Sequence, residues 1–474
     1  MTRFLRWLFR GLLAGLALVA VALLATLGPV DRTSWPETPL AAPLAASLAT
    51  LKAQTNAHAF GPLAAGFGRA RLTPTLGAPQ DDPAQGVFRA LPLAGYGQRR
   101  GRPATGVHDD LWVKAVALAV AGHTGVVVSA DALIIPREVA EATAALLRVD
   151  GLARTQLYFS ASHSHCSIGG WGEGLVAEAF AGGYQAGARV WFAQQLAAAA
   201  RTALADLAPA EAGSVSLAAT DFVRNRLDSQ RGRVEPALNL LVVRQANGRR
   251  AVLGSYGAHA TVLPGSFMEY SADYPGVWQR ELEREPQTMA VFLGGAVGSH
   301  GPRPGASGWD GVERLGRGLA ELSRPAVTAL RLTNRVVFGL SSLSLPLPEL
   351  QARLSDGIRL RLWAARRLLP VADTAMVQAL RLGDAVWLTT PCDFSGELVL
   401  DLKAGLSQTS AQTIRTLAVT SFNGDYVGYV IPAEYYHLGG YEPRTMSFFG
   451  PQLPGYLSAA LRGLCELASA ARAE

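Results

Sequence analysis

The chain has 474 residues, 49% of them apolar and 17% charged, which supplies a buried core and excludes wholesale disorder. Lys and Arg number 43, almost all Arg, against 37 Asp and Glu. An excess of +6 spread over this length, with no dense basic face interleaved with aromatics, excludes a nucleic-acid partner.

Arg3, Arg6 and Arg10 open the chain and precede an uncharged run over 11–30, rich in Leu, Ala and Val. Twenty such residues in a helix cover about 30 Å, the thickness of a bilayer core. A cleaved export signal has a shorter apolar region and ends in a small-x-small site, which Leu27-Gly28-Pro29-Val30-Asp31 does not offer. The expectation is an uncleaved transmembrane anchor, with a cleaved signal and secretion as the alternative. Arginines on the N-terminal side put residues 1–10 in the cytoplasm and everything after Asp31 outside, so the protein is expected to be single-pass with an extracytoplasmic domain.

Residues 31–60 are rich in Ala, Pro and Thr and read as a tether. From 61 to 474 the texture is α/β without a repeat or a linker, which predicts a single large catalytic domain. Strands are predicted at 111–121, 125–135, 156–161, 238–244, 251–257, 289–293, 336–345 and 385–390. Helices are predicted at 137–148, 185–207, 311–330, 349–369 and 455–472. Cys166, Cys392 and Cys465 are an odd number without metal-finger spacing, so neither a disulfide framework nor a zinc knuckle is expected.

The chemistry is concentrated where strands end. Leu157-Tyr158-Phe159-Ser160-Ala161-Ser162-His163-Ser164-His165 leads a β-rich run into a His-x-His pair and then a glycine turn. Side chains two apart on a strand share a face, which would send both imidazoles into one pocket. Neutral imidazole is a frequent zinc ligand. A second short strand ends at Ala258-His259, and a third runs out at Pro391-Cys392-Asp393. Tyrosines among glycines follow in Phe422-Asn423-Gly424-Asp425-Tyr426-Val427-Gly428-Tyr429-Val430 and Gly439-Gly440-Tyr441-Glu442. Singly each has a bland reading as a core, turn or cap residue. Together, two histidines, a carboxylate and an open position make a catalytic zinc site.

In order, these segments resemble the catalytic domain of the neutral ceramidases, zinc amidases that release the fatty acid from N-acylsphingosine. The likeness also takes in Ala65-Gly66-Phe67-Gly68-Arg69, Gly106-Val107-His108-Asp109-Asp110, Val127-Val128-Ser129-Ala130-Asp131 and Asn225-Arg226. It spans essentially everything after the anchor. The resemblance implies packed β-sheets flanked by helices and one zinc ion per chain, held by His163, His259, Asp393 and Tyr429. It places His165, Arg226 and Tyr441 around the reacting carbonyl. It further implies hydrolysis, by zinc-activated water, of ceramide or a related N-acyl lipid. The anchor would keep the enzyme close to that lipid.

Two positions depart from the family pattern. Asp393 stands where the family has Glu, one methylene longer, and Glu397 is the reserve carboxylate. In Gly298-Ser299-His300-Gly301-Pro302, Gly301 occupies the place of a family serine implicated in catalysis or headgroup binding. A zinc-activated water survives both changes. Two rival readings remain: an amidohydrolase barrel, which also opens on His-x-His, and a ceramidase-like domain that binds a lipid or partner without catalysis. The barrel needs a regular eight-fold strand–helix alternation, which this chain lacks.

Overall fold

In the computed structural model, residues 3–54, 58–369, 371–406 and 412–470 are described. α1 (Arg3–Thr26), β1 (Leu27–Pro29) and α2 (Ala41–Ala53) lead into the first long strand, β2 (Ala59–Arg71). Then follow β3 (Trp112–Val120), β4 (His123–Ala130), α3 (Arg137–Leu147), β5 (Leu157–Ala161) and α4 (Ala186–Ala205). The middle of the chain forms β6 (Ala208–Ala218), β7 (Ala237–Gln245), β8 (Arg250–Tyr256), α5 (Asp273–Leu282), β9 (Thr288–Gly294) and α6 (Gly308–Ala329). β10 (Arg335–Pro346), β11 (Ile358–Leu360), α7 (Leu362–Leu368), β12 (Thr374–Leu382) and β13 (Ala385–Thr390) come next. α8 (Gly396–Ala404), β14 (Thr416–Ser421) and α9 (Gln452–Ala470) complete the chain.

Twelve strands form one sheet in the order β9-β8-β7-β6-β2-β10-β12-β13-β14, with β3, β4 and β5 branching from the long β2. Most neighbours are antiparallel, but β4 with β5, β8 with β9 and β13 with β14 are parallel. Alternation along the strands assigns each face its partner. In β3, Val116, Leu118 and Val120 enter a core shared with Leu241, Val243, Leu380 and Trp387, so two halves of the sheet pack on each other. The intervening Val113, Ala115 and Ala117 join a second core with Phe192 and Leu196 of α4. Likewise Leu240 and Val242 of β7 meet Trp278 and Leu315 of α5 and α6, while Val377 and Ala379 of β12 meet Leu457 and Leu461 of α9. Helices therefore cover the outer faces, and the result is an α/β domain of packed sheets, not a barrel. α4 lies so near β2 that a Cβ on Gly66 or Gly68 would come within 2.1 or 2.2 Å of the carbonyl oxygens of Ala203 or Ala199.

All eight predicted strands are present within a few residues. Other expectations fare differently. The 349–369 helix shrinks to α7, because Leu347 to Leu360 is held by irregular backbone bonds, such as Gln351 N–H to Phe448 O at 2.6 Å. The C-terminal helix is described to Ala470, so the predicted end at Arg472 lies outside the described residues. The stretch read as a tether contains α2, and Trp35 packs on Tyr456 with ring centroids 6.0 Å apart. Asp31 accepts a hydrogen bond from Gln452 Nε2 at 2.9 Å, so this segment is fastened to the domain.

Candidate metal centre

The three parallel strand pairs explain where the site lies, since parallel strands present their carboxyl ends together and ligands gather there. His163 follows β5, His259 follows β8 and Asp393 follows β13. Val297 and Phe422, which buttress the histidines, follow β9 and β14. The His-x-His pair does not continue the strand as predicted. β5 stops at Ala161, and His163 takes a left-handed backbone with φ 65°, uncommon for a residue with a side chain. This turn, not strand alternation, brings His163 and His165 together, with ring centroids 4.8 Å apart and planes at 89°.

His163, His165 and His259 place their ligand nitrogens within 4.8 Å of one another. His163 Nε2 is 2.8 Å from His259 Nε2 and 3.3 Å from His165 Nε2. The far nitrogens are already committed. His163 Nδ1 donates to Leu133 O at 2.7 Å and His259 Nδ1 to Val297 O at 3.3 Å. A carbonyl can only accept, so each ring carries a proton on Nδ1 and turns its Nε2 toward the other ring. Phe422 stacks on the His163 ring at 4.3 Å and 11°, fixing its plane.

Asp393 is fully buried, and its two oxygens differ. Oδ2 accepts from Tyr426 OH at 2.8 Å, whereas Oδ1 has no hydrogen-bond partner and lies 3.3 Å from His163 Nε2. Tyr429, paired in register with Asp393, puts its hydroxyl 3.4 Å from His259 Nε2 and receives Arg226 Nη2–H at 3.1 Å. Arg226 Nε also pairs with Glu442 at 3.2 Å, and the Tyr441 ring stands edge-on to Tyr429 at 5.8 Å. Depth separates these groups. His163, His259, Asp393 and Tyr429 are buried, His165 and Arg226 are partly exposed, and Tyr441 is 51% exposed.

Burial holds the His259 and His165 imidazoles well below their ordinary pKa, helped at His259 by the Arg226 charge and at His165 by His163. Both rings are therefore neutral at pH 7 and free to act as ligand or base. Burial, and then the Asp393 carboxylate, raises the Tyr429 phenol well above its usual value. The same two influences push Tyr441 up to about 12.

The other sequence candidates lie elsewhere. Glu397 Oε1 accepts from Arg233 N–H and Tyr435 OH at 3.1 and 3.0 Å, so Asp393 is the carboxylate at the histidines. Ser299 bonds to Ser395 at 2.8 Å and His300 Nε2 to Arg233 O at 3.3 Å. Gly301 lies opposite Arg224 on a short strand pair, and a Cβ there would touch only the Arg226 side chain at 3.5 Å. Cys166 and Cys392 are buried, and Cys166 Sγ accepts from Arg99 at 3.3 Å. Sequence reasoning passed over Tyr426, Glu442 and Phe422. All three sit inside motifs it had singled out.

Among solved structures the fold is similar to neutral ceramidase from Pseudomonas aeruginosa, with a TM-score of 0.72 at 18% identity over 86% of this chain and 74% of that one. It is also similar to a ceramidase complexed with C2, with a TM-score of 0.70 at 17% identity over 86% and 75% of the two chains. No protein-family model and no curated protein sequence matches the chain. The fold expected from the resemblance is thus the fold found.

Proposed function

We propose that this chain is a zinc-dependent amidase of neutral-ceramidase type, hydrolysing the amide bond of ceramide or a related N-acyl lipid. The observation that carries the reading is the pair of Nε2 atoms facing each other across 2.8 Å, each ring's Nδ1 being bonded to a carbonyl. Two lone pairs so placed repel unless a proton or cation lies between them. The unpartnered Asp393 Oδ1 and the Tyr429 hydroxyl complete a donor set of two nitrogens and two oxygens, which suits zinc. His163, His259, Asp393 and Tyr429 would hold a zinc ion, which when bound would supply Lewis acidity toward water at neutral pH.

The remaining steps fall to the protein. Arg226 and Tyr441 stand at the entrance with N–H and O–H donors, where they bind the amide carbonyl and stabilise its developing negative charge. Glu442 and Tyr429 hold the Arg226 guanidinium from two sides, so it arrives already oriented. His165, neutral and partly exposed, has an unpartnered Nδ1. It is the group that takes up a proton and returns it to the leaving amine. Water and amide are thereby converted to carboxylate and amine. The 24-residue α1, apolar and with no buried residue, is the retained anchor that holds this chemistry at a membrane.

The test is metal content and hydrolysis measured together on the full chain. Elemental mass spectrometry after dialysis should find about one zinc per chain, the number a single four-ligand site holds. His163→Ala should lose both the zinc and the release of fatty acid from N-acylsphingosine while still unfolding cooperatively, at the melting temperature of the metal-free chain. Full zinc occupancy in that variant would sink the ligand assignment. A folded, metal-free wild type offered zinc would instead favour a lipid-binding domain without catalysis.

A further inference from the structure

The apolar helix does not leave the domain through free chain. Directly after α1, β1 pairs antiparallel with β11, Leu27 opposite Leu360 and Pro29 opposite Ile358. The last carbonyls of a helix normally lack partners. Here the domain supplies them. Arg361 Nε donates to Leu24 O and Leu27 O, both at 2.9 Å, its backbone N–H donates to Thr26 O at 2.8 Å, and Trp363 Nε1 donates to Ala25 O at 2.9 Å. A helix that was cut away after export would have no need of such a socket.

Beside the socket lies a patch that no other part of the domain covers. Among the described residues outside α1, four of the twelve exposed large apolar side chains fall within 354–368: Leu354, Ile358, Trp363 and Leu368. They are 45–56% exposed, concentrated where the anchor enters. Arg359, Arg361 and Arg366 line the adjoining groove together with Gly28 and Pro29. Arg359 and Arg366 keep Glu349 and Asp373 as partners at 3.3 and 2.6 Å, so the apolar side chains supply most of the attraction.

We infer that segment 354–368 is a docking face for a phospholipid bilayer, seated in the headgroup boundary next to the point where α1 enters. The inference rests on α1 being a retained anchor. An interfacial Trp, branched aliphatics and flanking arginines are the composition that settles at this depth. The strand pair and the capped carbonyls splint the domain to its anchor, so this face has no freedom to swing away. The segment continues to Leu369, Val371 and Ala372, which line a cavity of about 450 Å³ that has Tyr426 in its wall. Tyr426 is the residue that donates to Asp393. A lipid lifted from the bilayer at the docking face therefore meets a cavity bordering the metal centre.

All three native cysteines are buried, so an introduced surface cysteine is the reactive thiol of the folded chain. The full chain carrying Leu354→Cys, Leu368→Cys or, as control, Val149→Cys (85% exposed in the wild type) would be reconstituted into phosphatidylcholine vesicles and treated with a water-soluble maleimide. Each rate is normalised to that of the same variant unfolded. Positions 354 and 368 should react about tenfold more slowly than 149, as expected for side chains that spend most of their time in lipid. Equal rates at all three positions, in protein that still floats with the vesicles after an alkaline wash, would overturn the docking face and leave the anchor standing. Failure to float would overturn the anchor and the docking face together.

Discussion

Asp393 Oδ1, the Tyr429 hydroxyl and two Nε2 lone pairs converge without enough protons among them to satisfy one another. That deficit is the residue-scale argument for a cation, and it separates ligands from their surroundings. Arg226 belongs to the surroundings, because its guanidinium spans Tyr429 and Glu442 and neither contact survives in a shorter, single-headed cation. Arg226→Lys should keep its zinc and lose about 100-fold in kcat, the usual cost of removing a transition-state donor, read from steady-state hydrolysis alongside metal content. Loss of zinc in that variant would mark Arg226 as a support for the ligand Tyr429 instead. Gly301 makes the opposite case. Its added Cβ meets only the Arg226 side chain at 3.5 Å, ordinary contact, so Gly301→Ser should change stability by no more than about 0.5 kcal/mol in a denaturant titration. Hydrolysis should persist at the same order, since the proposed chemistry uses no hydroxyl there. A large gain on restoring the serine would show that the site still has a place for it.

At the scale of elements, what could be read from the sequence depended on how each strand is buried. β5 and β13 are buried throughout and β4 is buried from Gly125 onward, and all three appear as mostly apolar or β-branched runs. β6 and β12 escaped notice for physical reasons. β6 is rich in Ala, Ser and Gly, and β12 carries Gln378 and Arg381 inward to bond with Thr155 O and Thr413 O. The 349–369 stretch has helical spacing of Leu and Arg, but backbone bonds to β1 and to Phe448 override that preference. The histidines and Asp393 were legible because ligand side chains fall at strand ends. The carbonyls of Leu133 and Val297 that orient the rings were not, since a backbone oxygen has no letter. His58, at the entry to β2, is a further element-scale effect. Burial, assisted by Arg381, pushes its pKa down from 6.5 to about 4. A folded value below the unfolded one means that the stability it confers is present above pH 6.5 and is lost as pH falls toward 4. His58→Gln should flatten the acid side of the melting-temperature profile over that window, and an unchanged slope would refute the assignment.

For the whole molecule, the carboxyl ends of strands from both halves of the sheet meet at the candidate metal centre, so a metal bound there would couple to folding. β5, β8 and β13 each lead into one of the proposed ligand residues, His163, His259 and Asp393, which the folded chain brings together. An ion that binds the native chain and not the unfolded one adds about 2.7 kcal/mol at a hundred times its dissociation constant. Stripping the full chain with a chelator should lower its melting temperature, and added zinc should restore it. His259→Ala should melt at the stripped temperature with or without zinc, because burial of the remaining donors is then unrelieved by any ion. Magnesium should not substitute, since two imidazole nitrogens are poor ligands for so hard a cation. A melting temperature indifferent to chelator and zinc, in protein that still hydrolyses N-acylsphingosine, would take the metal out of the mechanism.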